Sequence, residues 1–107
     1  MAGKAIRSTF DAWINKMPPS RDTLHVKGKV EFPTPGYKAE LVEAVPPGIN
    51  REILILDVRE TPPTGPVNQV VTQVDAAPFS RHDSGHITEV TIRSDAPAFT
   101  LPVRVVR

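Results

Sequence analysis

Apolar and polar residues alternate along most of the chain after residue 22. In the first such run, residues 23–32, one face carries Leu24, Val26, Val30 and Phe32. An apolar residue at every second position is typical of a β-strand with one buried and one solvated face. Gly28 falls on the apolar face, where a glycine either leaves room for a bulky neighbour or marks a bulge.

Five further runs follow, separated by short turns rich in proline and glycine. They span residues 37–43, 52–59, 67–77, 86–93 and 99–106. Parallel strands need connections of about a dozen residues or more, so these turns predict a mostly antiparallel arrangement. Residues 52–59 are apolar on both faces, which is typical of a central strand. Val90 and Ile92 are the predicted buried pair of their run.

These runs predict an all-β fold. Six strands, or seven if residues 67–77 are divided by a bend, suit two packed sheets. We therefore expect an immunoglobulin-like antiparallel β-sandwich over residues 20–107, and an open barrel is the alternative. Val71 interrupts the polar face of its run, which makes it a candidate contact for a partner.

Residues 1–19 follow a different pattern. Apolar side chains with helical spacing occur at Ile6, Phe10, Trp13, Ile14 and Met17. This spacing predicts a short amphipathic helix over residues 8–16, which Pro18 and Pro19 would end. Such a stripe usually packs on its own domain. Because the stripe contains the only tryptophan of the chain, a docking helix is the alternative, with Phe10, Trp13 and Ile14 as partner contacts.

The composition excludes several classes of function. The chain has no cysteine and a formal net charge of +1, which rules out disulfides and thiolate metal sites and argues against a nucleic-acid partner. No apolar run approaches the roughly 20 residues that span a bilayer. The first residues lack the apolar core of a secretory signal. We expect no membrane span and a cytoplasmic location, or export if a leader has been removed.

The best candidate for chemistry is the segment that holds His82, Asp83 and His86. Imidazole and carboxylate are ligand types for a metal ion, and His25 is the candidate third protein ligand that a catalytic zinc requires. Asp83, Ser84 and Gly85 are turn formers, so the alternative to a metal site is a solvated turn without a ligand. Neighbouring Ser, His and Asp residues cannot align as nucleophile, base and orienting group. The sequence therefore predicts no catalytic residues and no cofactor.

Two segments resemble a known family. The first runs from Pro33 through Gly36 to Tyr37, and the second comprises Gln69, Val70, Val71, Thr72 and Val74, followed by Pro78. Residues 33–78 resemble the PrcB-type C-terminal domain, a small β domain of bacterial proteins linked to surface protease complexes. Gly65 precedes Pro66 where that family more often has the reverse order. The resemblance implies a partner-binding or complex-stabilising module and supplies no catalytic residues.

The function expected from the sequence is therefore a non-enzymatic protein-binding or complex-assembly module whose partner is unidentified. One alternative is a metal-binding domain that uses His82, Asp83 and His86. Another is a carbohydrate- or surface-binding module that uses exposed aromatic side chains among Trp13, Tyr37 and Phe79. A weak homodimer through the edge of the last strand is also open, because an edge strand presents unpaired backbone groups.

Overall fold

A computed structural model describes residues 3–18, 22–45, 48–65, 68–83 and 86–106. A single 3-10 turn, Arg7–Thr9, accompanies eleven strands in this part of the chain. The strands are β1 (Lys4–Ala5), β2 (Asp11–Asn15), β3 (Thr23–Lys27), β4 (Lys29–Phe32), β5 (Lys38–Glu43), β6 (Ile53–Thr61), β7 (Thr72–Asp75), β8 (Phe79–His82), β9 (Glu89–Arg93), β10 (Phe99–Pro102) and β11 (Arg104–Val106). The predicted all-β class is confirmed. No helix in the described part is long and apolar enough to cross a membrane.

The strands form three sheets. Their orders are β1-β4-β7, β10-β9-β6-β5 and β11-β2-β3-β8. Most neighbours are antiparallel, as predicted, but β6 is parallel to β9 and β11 is parallel to β2. The chain between β6 and β9 passes through β7 and β8, which lie in the other two sheets, and so provides the long crossover that a parallel pair needs. β6 has a neighbour on each side, as predicted for the most apolar run.

The run of residues 23–32 divides at Gly28 and feeds two sheets. The two strands that pair with β4 also end beside Gly28. The residue after β1, Ile6, donates its amide to the Lys29 carbonyl at 3.0 Å, and the residue after β7, Ala76, donates its amide to the Gly28 carbonyl at 3.0 Å. The ring of Phe10 covers Gly28 so closely that a Cβ atom there would lie 2.4 Å from a ring carbon. The expected close approach of a bulky neighbour is confirmed.

One hydrophobic core lies between the sheets, and its centre is formed by the predicted inward positions. The largest fully buried side chains are Leu24, Val26, Val30, Phe32, Leu56, Val90 and Ile92. Alternation fails in the last run, because Val105 is exposed although its predicted face is inward. The run is interrupted at Val103, so β10 and β11 belong to different sheets.

The predicted N-terminal helix over residues 8–16 is wrong. Asp11–Asn15 forms β2, which pairs with β11 on one side and with β3 on the other. Ala12 and Ile14 point into the interior, whereas Trp13 points outward. An isolated helix of this length is marginal in water, whereas two neighbouring strands satisfy the backbone groups of β2. The adjacent Trp13 and Ile14 fit a helical stripe, but a strand sends them to opposite faces.

Two other boundaries differ from the sequence prediction. The regular strand within residues 67–77 covers only Thr72–Asp75, and Val67 lies outside the described residues. Phe79–His82 is strand β8 and includes His82, which was expected at the start of a turn. Its pairing with β3 places Phe79 opposite Val26 and His82 opposite Thr23. Residues 84 and 85 of the expected turn lie outside the described part of the chain.

Candidate functional site

The outer face of the sheet β11-β2-β3-β8 carries the tryptophan. The alternation that buries Ala12 and Ile14 turns Trp13 away from the core. In the strand register, Trp13 lies between Arg104 on β11 and His25 on β3, and Asp11 lies opposite Lys27. We use the name Trp13 face for the outward side chains of Asp11, Trp13, His25, Lys27 and Arg104.

Trp13 is held by rings and cations on the neighbouring strands. Its ring stacks on the imidazole of His25, with a centroid separation of 5.2 Å and an interplanar angle of 26°. The Lys27 ammonium lies 5.6 Å from the centre of the Trp13 ring, and the Arg104 guanidinium carbon lies 5.9 Å from it. Both distances are within the range of a cation–π interaction. The tryptophan ring is therefore contacted by side chains of both neighbouring strands.

Asp11 orients the arginine of the Trp13 face. Arg104 Nε donates to Asp11 Oδ1 at 3.1 Å, and Arg104 Nη2 donates to Asp11 Oδ2 at 2.6 Å. These hydrogen bonds lower the pKa of Asp11 from its usual 3.8 and raise the pKa of Arg104. A two-point contact fixes the guanidinium plane as a single contact would not. Two cationic side chains, Lys27 and Arg104, share this one carboxylate.

The outer face of β10-β9-β6-β5 has the opposite character. Arg93 forms a two-point contact with Asp57 at 2.5 and 2.8 Å, and Arg59 pairs with Glu40. Its cations are thus matched by acids within the face. The Trp13 face has an excess of positive charge and an aromatic ring, and this combination distinguishes it as the candidate site.

A shallow groove of about 440 Å³ adjoins the Trp13 face where the chain bends at Gly28. Lys27 belongs both to the groove and to the Trp13 face, and Lys29 lies on the other side of the glycine. Asp75, the register partner of Lys29, is the carboxylate that lines the groove. The groove therefore extends from the Trp13 face to β4 and β7 of the neighbouring sheet, where Lys29 and Asp75 lie opposite each other.

The predicted metal ligands do not come together. His82 lies opposite Thr23 on the β3–β8 pair and shares the outward side of the sheet with His25. Asp83, only 5 % exposed, follows it in the chain and accepts a hydrogen bond from the Ile87 amide at 3.3 Å. His86 is exposed. Among the described residues, no three His, Asp or Glu side chains form a group that could hold a metal ion.

The other predicted partner contacts occupy varied positions. Ile14 is 2 % exposed, so it belongs to the interior and has no surface to offer. Phe10 is half-buried and meets Phe99 edge to face at 5.5 Å. Val71 is exposed in the segment before β7. Trp13 is thus the member of the predicted set that stands within a structured surface cluster.

The aromatic side chains proposed for sugar binding do not share a surface. Tyr37 stacks on Phe32 at 4.4 Å, and Phe79 packs against the core. His25 already covers one part of the Trp13 ring. The aromatic residues in question therefore do not form a common platform for a sugar ring.

Sequence reasoning missed the neighbours of Trp13. The sequence pointed to His25 only as a possible metal ligand and gave no role to Lys27 or Arg104. The alternation in residues 23–32 already put His25 and Lys27 on one face. The missing information was that residues 11–15 pair with that strand and with residues 104–106.

Comparison of the chain with family models, with curated proteins and with solved structures gave no match.

Proposed function

We propose that this protein is a non-enzymatic binding module that joins a protein assembly by holding an acidic partner on its Trp13 face. The observation that carries the proposal is the fixed aromatic–cation cluster of Trp13, His25, Lys27 and Arg104 on the outside of a sheet. A solvated sheet face needs no tryptophan, and this chain places its only one there.

The residue types of this cluster are those that dominate protein interfaces. Tryptophan and arginine are enriched among the few residues that supply most of the binding free energy. Here both are on strands, and Asp11 already holds the arginine. Side chains that are ordered before binding lose little conformational entropy when a partner arrives. The excess of positive charge favours a partner with an acidic surface and speeds its association.

We propose further that the strands form an immunoglobulin-like sandwich. In support, β3 continues into β4 and β1 precedes β2, so β1-β4-β7 and β11-β2-β3-β8 combine into one layer opposite β10-β9-β6-β5. The parallel contact of β6 with β9 departs from the antiparallel neighbours of an immunoglobulin sheet. Binding surfaces on such sandwiches are faces and loops held by a rigid frame.

The resemblance of residues 33–78 to the PrcB-type C-terminal domain implies the same class of function. Its residues include Gly36 in the left-handed region, at φ 92°, as the turn before Tyr37 requires. Val71, from the second segment of the resemblance, is exposed. A partner-binding or complex-stabilising role therefore has support from the sequence pattern and from the Trp13 face separately.

The proposal is tested by capture of partners from an extract of the source cell on immobilised protein. Trp13→Ala removes the ring and, with it, about 2 kcal/mol or more of binding free energy if Trp13 is a central contact. Arg59→Ala is the matched control, because Arg59 lies on the opposite outer face. We expect an acidic protein to be retained by the wild type and by Arg59→Ala and to be lost from Trp13→Ala.

A second measurement locates the contact directly. A photo-crosslinking residue in place of Ser80, the exposed register partner of His25, should form an adduct with the captured protein, and the same residue in place of Thr91 should not. Circular dichroism first establishes that each variant is folded. Equal capture by Trp13→Ala and wild type, or adducts at Thr91 alone, would refute the assignment of the Trp13 face.

A further inference from the structure

A second concave surface lies between the β5–β6 connection and the segment after β8. We propose that this groove binds the C-terminal residue of a polypeptide that ends in a branched aliphatic side chain. We call it the hairpin groove and define it by Glu43, Ile49, Arg51, Arg81 and Ile87, which line it. The inference concerns a different surface from the Trp13 face and does not depend on it.

The hairpin groove is large enough for an aliphatic side chain together with neighbouring peptide atoms, and its walls are partly apolar. Its volume is about 580 Å³, within the range of about 300–1,000 Å³ that is usual for binding pockets. Leu54 and Ile87 are buried beneath it, and Ile53 contributes to the wall. These side chains form an apolar floor that can exclude water from a bound isoleucine, leucine or valine.

The rim of the groove exposes apolar side chains to an unusual degree. Ile49 is fully exposed, and Val45, on the same connection, is almost fully exposed. Gly48 lies against Ile55, and a Cβ atom there would come within 2.7 Å of that side chain. Gly48 therefore lies against the sheet, whereas the side chain of the next residue, Ile49, is exposed to solvent. Exposed apolar groups beside a concavity are typical of a binding surface.

Two acids, Glu43 and Asp83, and two arginines, Arg51 and Arg81, line the hairpin groove. Arg81 Nη1 donates to Glu43 Oε1 at 2.8 Å, so this pair is internally matched. Asp83 is buried and accepts from the Ile87 amide. Arg51 is exposed and forms no ion pair with any residue that the structure describes. The exposed His86 adds a further donor at the rim.

A free guanidinium beside an apolar floor is complementary to a carboxylate next to an aliphatic group. Arginine binds carboxylate through two parallel hydrogen bonds, which fixes both position and direction. Within a polypeptide, an aliphatic side chain and a carboxylate share one residue only at the C-terminus. An internal glutamate supplies the charge without the branched side chain, and an internal leucine supplies the side chain without the charge.

The test is a titration of the isotope-labelled full chain, followed by the NMR shifts of its isoleucine methyl and backbone amide groups. The probe is N-acetyl-leucine, and N-acetyl-leucinamide and N-acetylglycine are its matched controls. A ligand of about a dozen non-hydrogen atoms is expected to bind in the millimolar range. We expect shifts at Ile49, Ile53 and Ile87, and at least about fivefold weaker binding of either control compound, because each lacks one of the two recognised groups.

Two variants make the assignment specific. Arg51→Gln should weaken the binding of N-acetyl-leucine about fivefold. Arg59 is an exposed arginine of β6 outside the groove, so Arg59→Gln should leave the affinity for N-acetyl-leucine unchanged. Equal binding of the amide, no effect of Arg51→Gln, or shifts at the Trp13 indole in place of the groove would overturn the proposal. Tighter binding of free leucine than of acetyl-Gly-Gly-Leu would also overturn it, because the ligand would then be an amino acid and not a chain end.

Discussion

At the scale of single residues, Gly28 and Phe10 show how one side chain sets the path of the backbone. The ring of Phe10 occupies the space that a Cβ atom at position 28 would need. The strand can therefore bend at this level and pass from one sheet to the next. The sequence predicted a close approach at Gly28 from the place of a glycine on an apolar face, but it did not identify the neighbour.

Gly28→Ala should destabilise the fold by about 1–3 kcal/mol, the usual cost of an extra group in a filled space. The contact atoms belong to the base and sides of the Phe10 ring, which cannot move without leaving Phe99. Urea unfolding measures the change in free energy. In the double variant Gly28→Ala/Phe10→Ala, the added cost of the alanine should largely disappear. The same cost in the presence and absence of the ring would contradict this account.

The Asp11–Arg104 contact predicts how one carboxyl titrates. Because the hydrogen bonds from Arg104 lower the pKa of Asp11 in the folded state below 3.8, the contact stabilises the fold fully above the unfolded pKa. The stabilisation is lost as the pH falls through the lower, folded value. Both side chains are partly exposed, so screening by solvent keeps this contribution small.

Carbon NMR of the Asp11 carboxyl should give a midpoint below 3.8 in the wild type and a higher one in Arg104→Ala. Asp57, whose pKa Arg93 lowers in the same way on the other face, should not respond to Arg104→Ala and serves as the internal reference. An Asp11 midpoint unaffected by Arg104→Ala would exclude the contact in solution.

At the scale of elements, β2 marks the main difference between pattern and structure. Ile6, Phe10, Trp13 and Ile14 match a helical stripe, but Asp11–Asn15 is equally consistent with alternation, and a five-residue window cannot separate the two periods. Pairing with β3 and β11 decides the matter. The runs over residues 23–32 and 86–93 were predictable because several buried positions repeat at the period of two.

Ile14→Ala should cost about 2–4 kcal/mol of unfolding free energy, because the side chain is buried on the inner face of β2. Gln73→Ala, at an exposed position of β7, should cost no more than about 0.5 kcal/mol. Chemical unfolding of both variants provides the comparison. A small cost for Ile14→Ala would indicate that residues 11–15 lie outside the core, as a docking helix would.

At the scale of the whole molecule, the sheets are linked around one core. A single residue separates β3 from β4, and a single residue separates β10 from β11. In both places the chain passes directly from one sheet to another. Ala77 bridges to β5, donating to the Ala39 carbonyl at 2.8 Å and accepting from the Leu41 amide at 3.3 Å. The Asp95 backbone amide, in the segment after β9, donates to the carbonyl of Gly3, just before β1, at 2.9 Å. These hydrogen bonds connect the sheets at two places along their margins.

This continuity predicts that the N-terminal strand unfolds together with the rest of the molecule. Native-state hydrogen exchange should give the hydrogen-bonded amides of β2 and β6 the same free energy of opening, since both belong to sheets around one core. The exposed residues 68–71, which precede β7, should exchange much faster. Rapid exchange throughout β2 would show that this strand is a separate, weaker unit.

The strand class, most inward positions and the need for space at Gly28 could be predicted from the sequence, because they follow from local periodicity and side-chain size. The pairing of distant segments was needed to show that residues 11–15 form a strand, that His25, Lys27 and Arg104 surround Trp13, and that His82, Asp83 and His86 do not form a metal-binding group. Strand partners and their register depend on contacts between residues far apart in the chain. A surface built across three strands therefore exists only after those strands have paired.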